Sequence, residues 1–296
     1  YTGEPGTMNV GICHAGDFIC EDGVWGNYTS DTIEFVGDYC KDETLPYPED
    51  LCNDADDNCD GLIEKNMEDT DILFIVDGSG SMTEEIVAVS TALAAFSANY
   101  SDSTVIQWGL IVAPSGSSAF GGEHLKLVQN LTSFMNFVPQ LASLANINLS
   151  GGKEMIYDAV YLAIHSLADV LDLPKKTQDL IWTLGVGPSN PSMTSFNVSW
   201  REDTHHVVIV FTDEPGQSYV QPQITQQDII DVAKASDDLA IYTFSTKADA
   251  EGTKAGGVKT GWAPVAVNGQ WFELSASEAT LFDSLMQILD ETACGG

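Results

Sequence analysis

An unbroken apolar run at residues 72–76 ends in the short acidic and hydroxyl-rich loop 77–81, and this junction constrains the fold strongly. A continuous apolar run is typical of a parallel strand that is covered on both faces. Apolar residues then recur at helical spacing from residue 86 to residue 96, and Ser81-x-x-Glu84 predicts a capping box at the start of that helix. The junction therefore predicts a buried strand, a tight loop and a helix.

The rest of the chain repeats this alternation of strand and helix patterns. Further strands are predicted at 105–112, 124–131 (an edge strand), 180–186, 207–211, 239–244 and 271–274. Helices are predicted at 134–144, 155–171, 228–235 and after Ser277, which caps the closing helix. The alternation predicts an α/β fold with a doubly wound, mostly parallel sheet and helices on both faces.

Three oxygen-bearing side chains alternate along the loop that follows the first strand, namely Asp77, Ser79 and Ser81. With glycines between them, such side chains can reach one hard cation. Asp213 directly follows the strand pattern that ends at residue 211 and the intervening Thr212. Because ligands bind at the carboxyl ends of the strands in such sheets, we expect Asp213 to lie beside Asp77. A helix-start capping cluster without metal is the alternative.

Charge and cysteine content change sharply near residue 68. The first 70 residues hold 18 acidic residues against Lys41 and Lys65, and the whole chain has a formal net charge of −33. This charge argues against nucleic acid and anionic membranes as partners, and it indicates either cation binding or solubility in a salty habitat. We predict a Cys-rich acidic module at 1–68 and an α/β domain at 69–296.

The cysteines indicate disulfide bonds and an oxidising compartment. Zinc is the alternative, although the Cys-x2-Cys spacing that zinc sites favour is missing. A link from the last cysteine to the amino-terminal module is a further hypothesis. The six candidates are Cys13, Cys20, Cys40, Cys52, Cys59 and Cys294.

A second set of alternating oxygens lies in the acidic module and predicts a calcium loop that is not an EF-hand. A solvated acidic turn is the alternative. The candidate calcium ligands are Asp54, Asp56, Asn58, Asp60, Glu64 and the carbonyl of Leu62.

Several features favour a secreted or cell-surface protein. The chain opens at Tyr1 without an apolar signal region, as in a processed product or a fragment. It contains no apolar stretch of the ~20 residues that a transmembrane helix needs. Glycosylation sequons fit export and occur at Asn27, Asn99, Asn130, Asn148 and Asn197.

The loop 77–81, the helix pattern behind it and the strand end at Asp213 resemble the von Willebrand factor type A domain over residues 69–294. The resemblance implies a metal-ion-dependent adhesion site, in which three loops bind one divalent cation and a carboxylate of the ligand often completes its shell. It implies that Glu154 occupies the place of the usual Thr, as in the related domains of integrin β subunits. In those relatives an acidic pair, matched here by Glu84 and Glu85, flanks an adjacent cation; stabilisation of the first helical turn is the alternative.

Three carboxylates around one divalent cation, from Asp77, Glu154 and Asp213, would exceed its charge. We therefore predict that Asp213 lies one water molecule away from the cation when no ligand is bound. The additional Glu favours Ca²⁺, whereas six oxygens that include several waters would suit Mg²⁺ or Mn²⁺.

Residues 9–66, with Trp25-Gly26 between the cysteines, resemble a small Cys-rich metal-binding repeat of secreted bacterial proteins. That resemblance implies that the acidic module binds a metal ion. With so small a core, we expect disulfides and Ca²⁺ to supply much of its order.

We expect an extracellular, metal-dependent adhesion or protein-binding protein rather than an enzyme. The chain has no Gly-x-Ser-x-Gly elbow, and its five histidines match no recognisable triad or zinc pattern. We expect His205 and His206 to begin a strand, and Arg201 to pin the long segment before it to the domain. The alternative function is a cation-stabilised subunit of a surface layer, sheath or filament, whose partners are copies of itself.

Overall fold

The computed structural model describes residues 19–21, 24–26, 68–101, 103–117, 122–144, 155–165, 167, 198–219, 223–254 and 257–293. Internal contacts divide the chain into two compact units, Tyr1–Met67 and Glu68–Gly296. In the first unit, β1 (Ile19–Glu21) and β2 (Val24–Gly26) form an antiparallel pair with Cys20 opposite Trp25. The predicted calcium loop and the cysteine side chains lie outside the described residues and stay predictions.

The second unit is built on a six-stranded sheet in the order β5-β4-β3-β6-β7-β8. Every neighbouring pair is parallel except β4 and β5, which are antiparallel at one edge. The predicted doubly wound, mostly parallel α/β fold is confirmed. The strands are β3 (Thr70–Asp77), β4 (Ile106–Ser117), β5 (Gly122–Thr132), β6 (His205–Phe211), β7 (Leu239–Ser245) and β8 (Trp271–Glu273).

Helices cover both faces of this sheet. The helices are α1 (Glu85–Ala98), α2 (Phe134–Leu144), α3 (Ile156–His165), α4 (Gln226–Ala233), the single turn α5 (Lys247–Ala250) and α6 (Glu278–Ala293). Helix α1 packs against α2 and α6, and α3 packs against α4. Side chains of β3 alternate between the two faces, since Phe74 stacks on Phe137 of α2 while Leu73 and Ile75 join the core under α3 and α4. Both faces of β3 are therefore buried, as its apolar run predicts.

Two helix starts differ from the sequence prediction. The predicted capping box at Ser81 is wrong, because Ser81 begins a 3-10 turn and α1 starts at Glu85 without a side-chain cap. The Ser81 hydroxyl bonds to Asp213 instead. Helix α4 begins earlier than residue 228, because Thr225 and Asp228 form a capping box of their own. For the closing helix, Ser277 accepts the N–H of Thr280 as predicted, at 3.4 Å.

Arg201 pins the segment before β6 to the sheet, as expected. Its Nε donates to Asp71 Oδ1 at 2.7 Å, and its backbone N–H donates to the other oxygen of the same buried carboxylate at 2.8 Å. Its guanidinium also donates to the carbonyls of Thr70 and Val105, which lie at the beginnings of β3 and β4. His205 begins β6, as expected. The predicted strand 180–186 and most of the predicted helix beyond His165 lie outside the part of the chain that the structure describes.

Candidate metal centre

The loops after β3 and β6 meet at the carboxyl ends of these two central strands, which we call the edge of the sheet. These strands are direct parallel neighbours, and Val76 lies opposite Phe211 in their register. Asp77, the last residue of β3, therefore lies beside Thr212 and Asp213, which follow β6. The sheet topology accounts for a meeting of residues that are far apart in sequence.

The loop after β3 turns tightly around a buried carboxylate. Asp77 is fully buried, and its Oδ1 accepts the backbone N–H of Ser79 at 2.8 Å. The next N–H along the chain from Asp77, that of Gly78, donates to the carbonyl of Ala113 on β4 at 3.4 Å. The hydroxyls of Ser79 and Ser81 lie 2.8 Å apart. The three side chains predicted from the Asp-x-Ser-x-Ser spacing thus form one group.

Asp213 joins this group through Ser81. The Ser81 hydroxyl donates to Asp213 Oδ1 at 3.0 Å. Thr212 makes a second connection between the two loops, because its hydroxyl donates to Asp77 Oδ2 at 2.6 Å and accepts the N–H of Glu214 at 3.1 Å. Sequence reasoning assigned no role to Thr212. Its position between the end of β6 and Asp213 was the only signal.

Burial is the main cause that raises the pKa of Asp77 to about 7, and the neighbouring charge of Asp213 contributes to this rise. Hydrogen bonds from Thr212 and Ser79 act in the opposite direction, but burial has the larger effect. A carboxylate in this position is costly to keep ionised without a nearby positive charge. A bound cation would supply that charge.

The donor set suits a hard divalent cation. Asp77, Ser79, Ser81 and Asp213 offer carboxylate and hydroxyl oxygens, with no sulfur or imidazole nitrogen in the hydrogen-bonded group. Mg²⁺, Mn²⁺ and Ca²⁺ prefer such ligands. Within the described ranges, no cluster of three or more His, Cys, Asp or Glu side chains could hold a metal ion. Two carboxylates and two hydroxyls are what the described residues contribute.

The remaining predicted metal ligands are placed less completely. Glu154 lies outside the described residues, and the structure resumes at the buried Met155 just before α3. Glu84 is exposed and Glu85 is half-buried, and they form the junction between the 3-10 turn and α1. The predicted second cation beside Glu84 and Glu85 stays a prediction.

Asp158 secures the loop that carries Asp213, a role that sequence reasoning missed. This carboxylate on α3 is fully buried, accepts the Ser218 hydroxyl at 2.5 Å and accepts the N–H of Tyr219 at 2.8 Å. The Ser218 hydroxyl in turn accepts the N–H of Ile224 at 2.8 Å. Asp158 therefore ties the start of α3 to the loop after β6.

Two of the predicted glycosylation sequons lie in the described part of the chain. Asn99 follows α1 and is exposed. Asn130 is half-buried, and its Nδ2, the atom to which a glycan would attach, donates to the Ser199 hydroxyl at 3.1 Å. The other three asparagines are outside the described residues. In the ranges that are described, no helix combines the length and apolar character needed to cross a membrane.

Comparisons with known proteins find similarity only among solved structures. No protein-family model and no curated protein matches the chain. Proximal thread matrix protein 1 from the mussel byssus is 16% identical with a TM-score of 0.46, over 77% of this chain and 49% of that one. The pilus adhesin SpaC from Lactobacillus rhamnosus GG is 14% identical with a TM-score of 0.46, over 77% and 31% of the two chains.

A third structure, von Willebrand factor type A from Catenulispora acidiphila, is 11% identical with a TM-score of 0.43, over 77% of this chain and 43% of that one. The chain spans less than half the length of each of these three proteins. A further structure of the byssus protein has a zinc-occupied MIDAS motif. Solved structures that resemble this chain at low sequence identity thus include a von Willebrand factor type A domain.

Proposed function

We propose that the second unit binds one divalent cation at the edge of its sheet and binds a protein ligand through that cation. Asp77, Ser79 and Ser81 would bind the ion directly, together with Glu154 from the segment before α3. Asp213 would hold it through one water molecule. The observation that carries the proposal is the hydrogen bond from Ser81 to Asp213, because it joins the two strand-end loops into one group of oxygens. The chain would act outside the cell as an adhesion or protein-binding protein.

The charges around the site support a resident cation. Asp77 accepts the backbone N–H of Ser79, Asp213 accepts the Ser81 hydroxyl, and the two serine hydroxyls bond to each other. Both carboxylates carry negative charge when ionised. In a partly buried site two such carboxylates repel one another unless a positive charge lies between them. A divalent ion would neutralise both and replace the hydrogen bonds among the hydroxyls with ion-oxygen contacts.

The exposure of the site supports a ligand that approaches from solvent. Asp77 and Ser79 are buried, whereas Ser81 is exposed and Asp213 is half-buried, so Ser81 and Asp213 form the solvent-accessible part of the group. A cation bound by these residues would keep its solvent-facing coordination positions open to water or to a carboxylate of the protein ligand. Binding of an acidic side chain is the chemistry that such a half-open site performs. We propose binding, and not catalysis, as its role.

Calorimetric titration of the chelator-treated full chain with Ca²⁺, Mg²⁺ and Mn²⁺ tests the proposal. The acidic module is also expected to bind Ca²⁺, so the wild-type chain should show two classes of calcium site. We expect Ser81→Ala and Asp213→Asn to weaken one class at least about tenfold and to leave the other unchanged. Asp56→Asn should do the reverse.

Matched substitutions in the turn between α4 and β7 serve as controls. Ser236→Ala and Asp237→Asn make the same chemical changes at the amino ends of the strands, away from the candidate site. They should leave both classes of calcium site intact. Equal cation binding by Ser81→Ala, Asp213→Asn and these controls would contradict the proposal.

A further inference from the structure

Two segments without any acidic residue meet beside the candidate metal centre. Residues 215–227 follow Asp213 and Glu214, and residues 252–272 lie between Glu251 and Glu273; neither segment contains Asp or Glu. Acidic residues elsewhere outnumber basic ones, 44 to 11 over the whole chain. These two segments therefore bring no negative charge of their own to the surface where they meet.

The two segments line one cavity of about 180 Å³. Its walls come from the loop after β6, from Lys254 and residues 258–260, and from the ring of Tyr157 on α3. Polar side chains dominate the lining, and internal hydrogen bonds hold them in place. Tyr219 donates to Gln217 Oε1 at 2.9 Å, and Gln223 donates to the carbonyl of Ser218 at 2.9 Å.

Lys254 and Lys259 bring positive charge to the rim of this cavity. Both are exposed, and the turn that carries them is closed by an antiparallel bridge between Thr253 and Lys259. Among the described residues neither lysine lies within ion-pair distance of a carboxylate. The ammonium of Lys259 donates to the Thr253 hydroxyl at 3.3 Å. Val258 between them is 55% exposed, which adds an apolar contact surface.

The cavity is joined directly to the loop that carries Asp213. The N–H of Gly216 donates to the carbonyl of Thr260 at 2.8 Å, and the indole N–H of Trp262 donates to the carbonyl of Glu214 at 2.8 Å. Gly216 has no room for a side chain, because an added Cβ would lie 2.0 Å from the Tyr157 ring. Gly216 is three positions after Asp213 in the sequence, so their Cα atoms are about 11 Å apart at most. One extended peptide can therefore reach both.

We infer that the cavity beneath Lys254 and Lys259 is a second binding subsite, which takes a carboxylate side chain of a polypeptide ligand. The lysines would attract the carboxylate, while the amide and hydroxyl groups of the walls would hydrogen-bond to it or to the neighbouring peptide groups. The inference names the chemistry of the ligand in the proposed function and rests on that function for its role. The subsite itself does not require the cation.

Charge argues for a peptide over a uniformly charged polyanion. Two lysines can neutralise one or two carboxylates, but a sulfated polysaccharide requires more cations, and the net charge of −33 would repel it. Screening limits the attraction of the lysines to roughly 8 Å at physiological salt. A locally acidic segment in an otherwise neutral polypeptide fits both conditions.

The test is binding of a short peptide with two adjacent glutamates in a Gly-Ser background, measured on the full chain by NMR titration in chelator. We expect shifts of the amide signals of residues 217–219, 223–225 and 258–260, and weaker binding of the same peptide with glutamines. The double variant K254Q/K259Q should weaken binding of the acidic peptide about three- to tenfold. The charge-matched control K126Q/K234Q alters two exposed lysines outside the cavity lining and should change binding less than twofold.

Three results would contradict a carboxylate-binding subsite in this cavity. Equal binding of the glutamate and glutamine peptides, equal effects of the two double variants, or tighter binding of a heparin fragment would overturn it. Because chelator removes the cation, failure here leaves the metal proposal standing. Loss of calcium binding in Ser81→Ala with peptide binding retained would support the subsite as a separate element.

Discussion

At the scale of single residues, the candidate site depends on which groups a few hydroxyls form hydrogen bonds with. Ser79 and Ser81 could be chosen from sequence, because the Asp-x-Ser-x-Ser spacing places them on one tight loop. Thr212 and Asp158 could not be chosen, because their partners lie more than 50 residues away and depend on the order of the strands. The folded structure, and not the local sequence, determines which partner each of these hydroxyl groups bonds to.

Thr212 gives the sharpest prediction at this scale. Thr212→Val keeps the side-chain shape but removes the hydroxyl that donates to Asp77 and accepts from Glu214. We expect a loss of about 2 kcal/mol in the free energy of unfolding, measured by urea denaturation in chelator, because the buried Asp77 carboxylate and the half-buried Glu214 N–H each lose a partner. Thr212→Ser keeps the hydroxyl and should lose only about 1 kcal/mol from the missing methyl group. Equal losses in the two variants would show that the hydroxyl does not matter.

At the scale of elements, apolar periodicity was sufficient to find most strands and helices. The run 72–76 became the centre of β3, and the prediction of a helix at 134–144 coincides with α2. The predicted capping box at Ser81 failed because two uses competed for one hydroxyl, and bonding to Asp213 across the sheet edge prevailed. A local sequence pattern contains no information about a hydrogen-bond partner as distant in sequence as Asp213.

Arg201 tests how the element before β6 is held. Arg201→Met would leave the fully buried carboxylate of Asp71 without its positively charged partner, and we expect the free energy of unfolding to fall by about 3 kcal/mol or more. Thermal and urea denaturation would measure this, with the exposed Lys234→Met as a control expected within about 0.5 kcal/mol of wild type. Adding Asp71→Asn to Arg201→Met should restore part of the loss. A loss no larger than that of the control would mean that the ion pair is dispensable.

At the scale of the whole molecule, composition indicated two units and an excess of negative charge. Contacts within the structure also divide the chain between Met67 and Glu68. The metal-binding role of the first unit is still a prediction from its acidic loop. Its side chains lie outside the described residues, so periodicity and spacing are all that supports it.

The solution size of the full chain separates the two functions that its composition allows. If the chain is an adhesion protein for a separate partner, we expect a monomer by light scattering both in Ca²⁺ and in chelator. Chelator should nevertheless lower the melting temperature of the acidic module, because that module has little apolar core to hold it. Particles that grow in Ca²⁺ and disperse in chelator would instead favour the assembly subunit.

Anomalous scattering from crystals of the full chain soaked in Mn²⁺ tests most directly whether the strand-end oxygens hold a cation. We expect an anomalous peak for a manganese ion that is coordinated by oxygens of Asp77, Ser79 and Ser81. Glu154 should lie close to this ion, and Asp213 one water molecule away. Direct coordination by Asp213 would correct that last detail only. The absence of a peak at this edge of the sheet, in crystals that show manganese elsewhere, would contradict the metal centre itself.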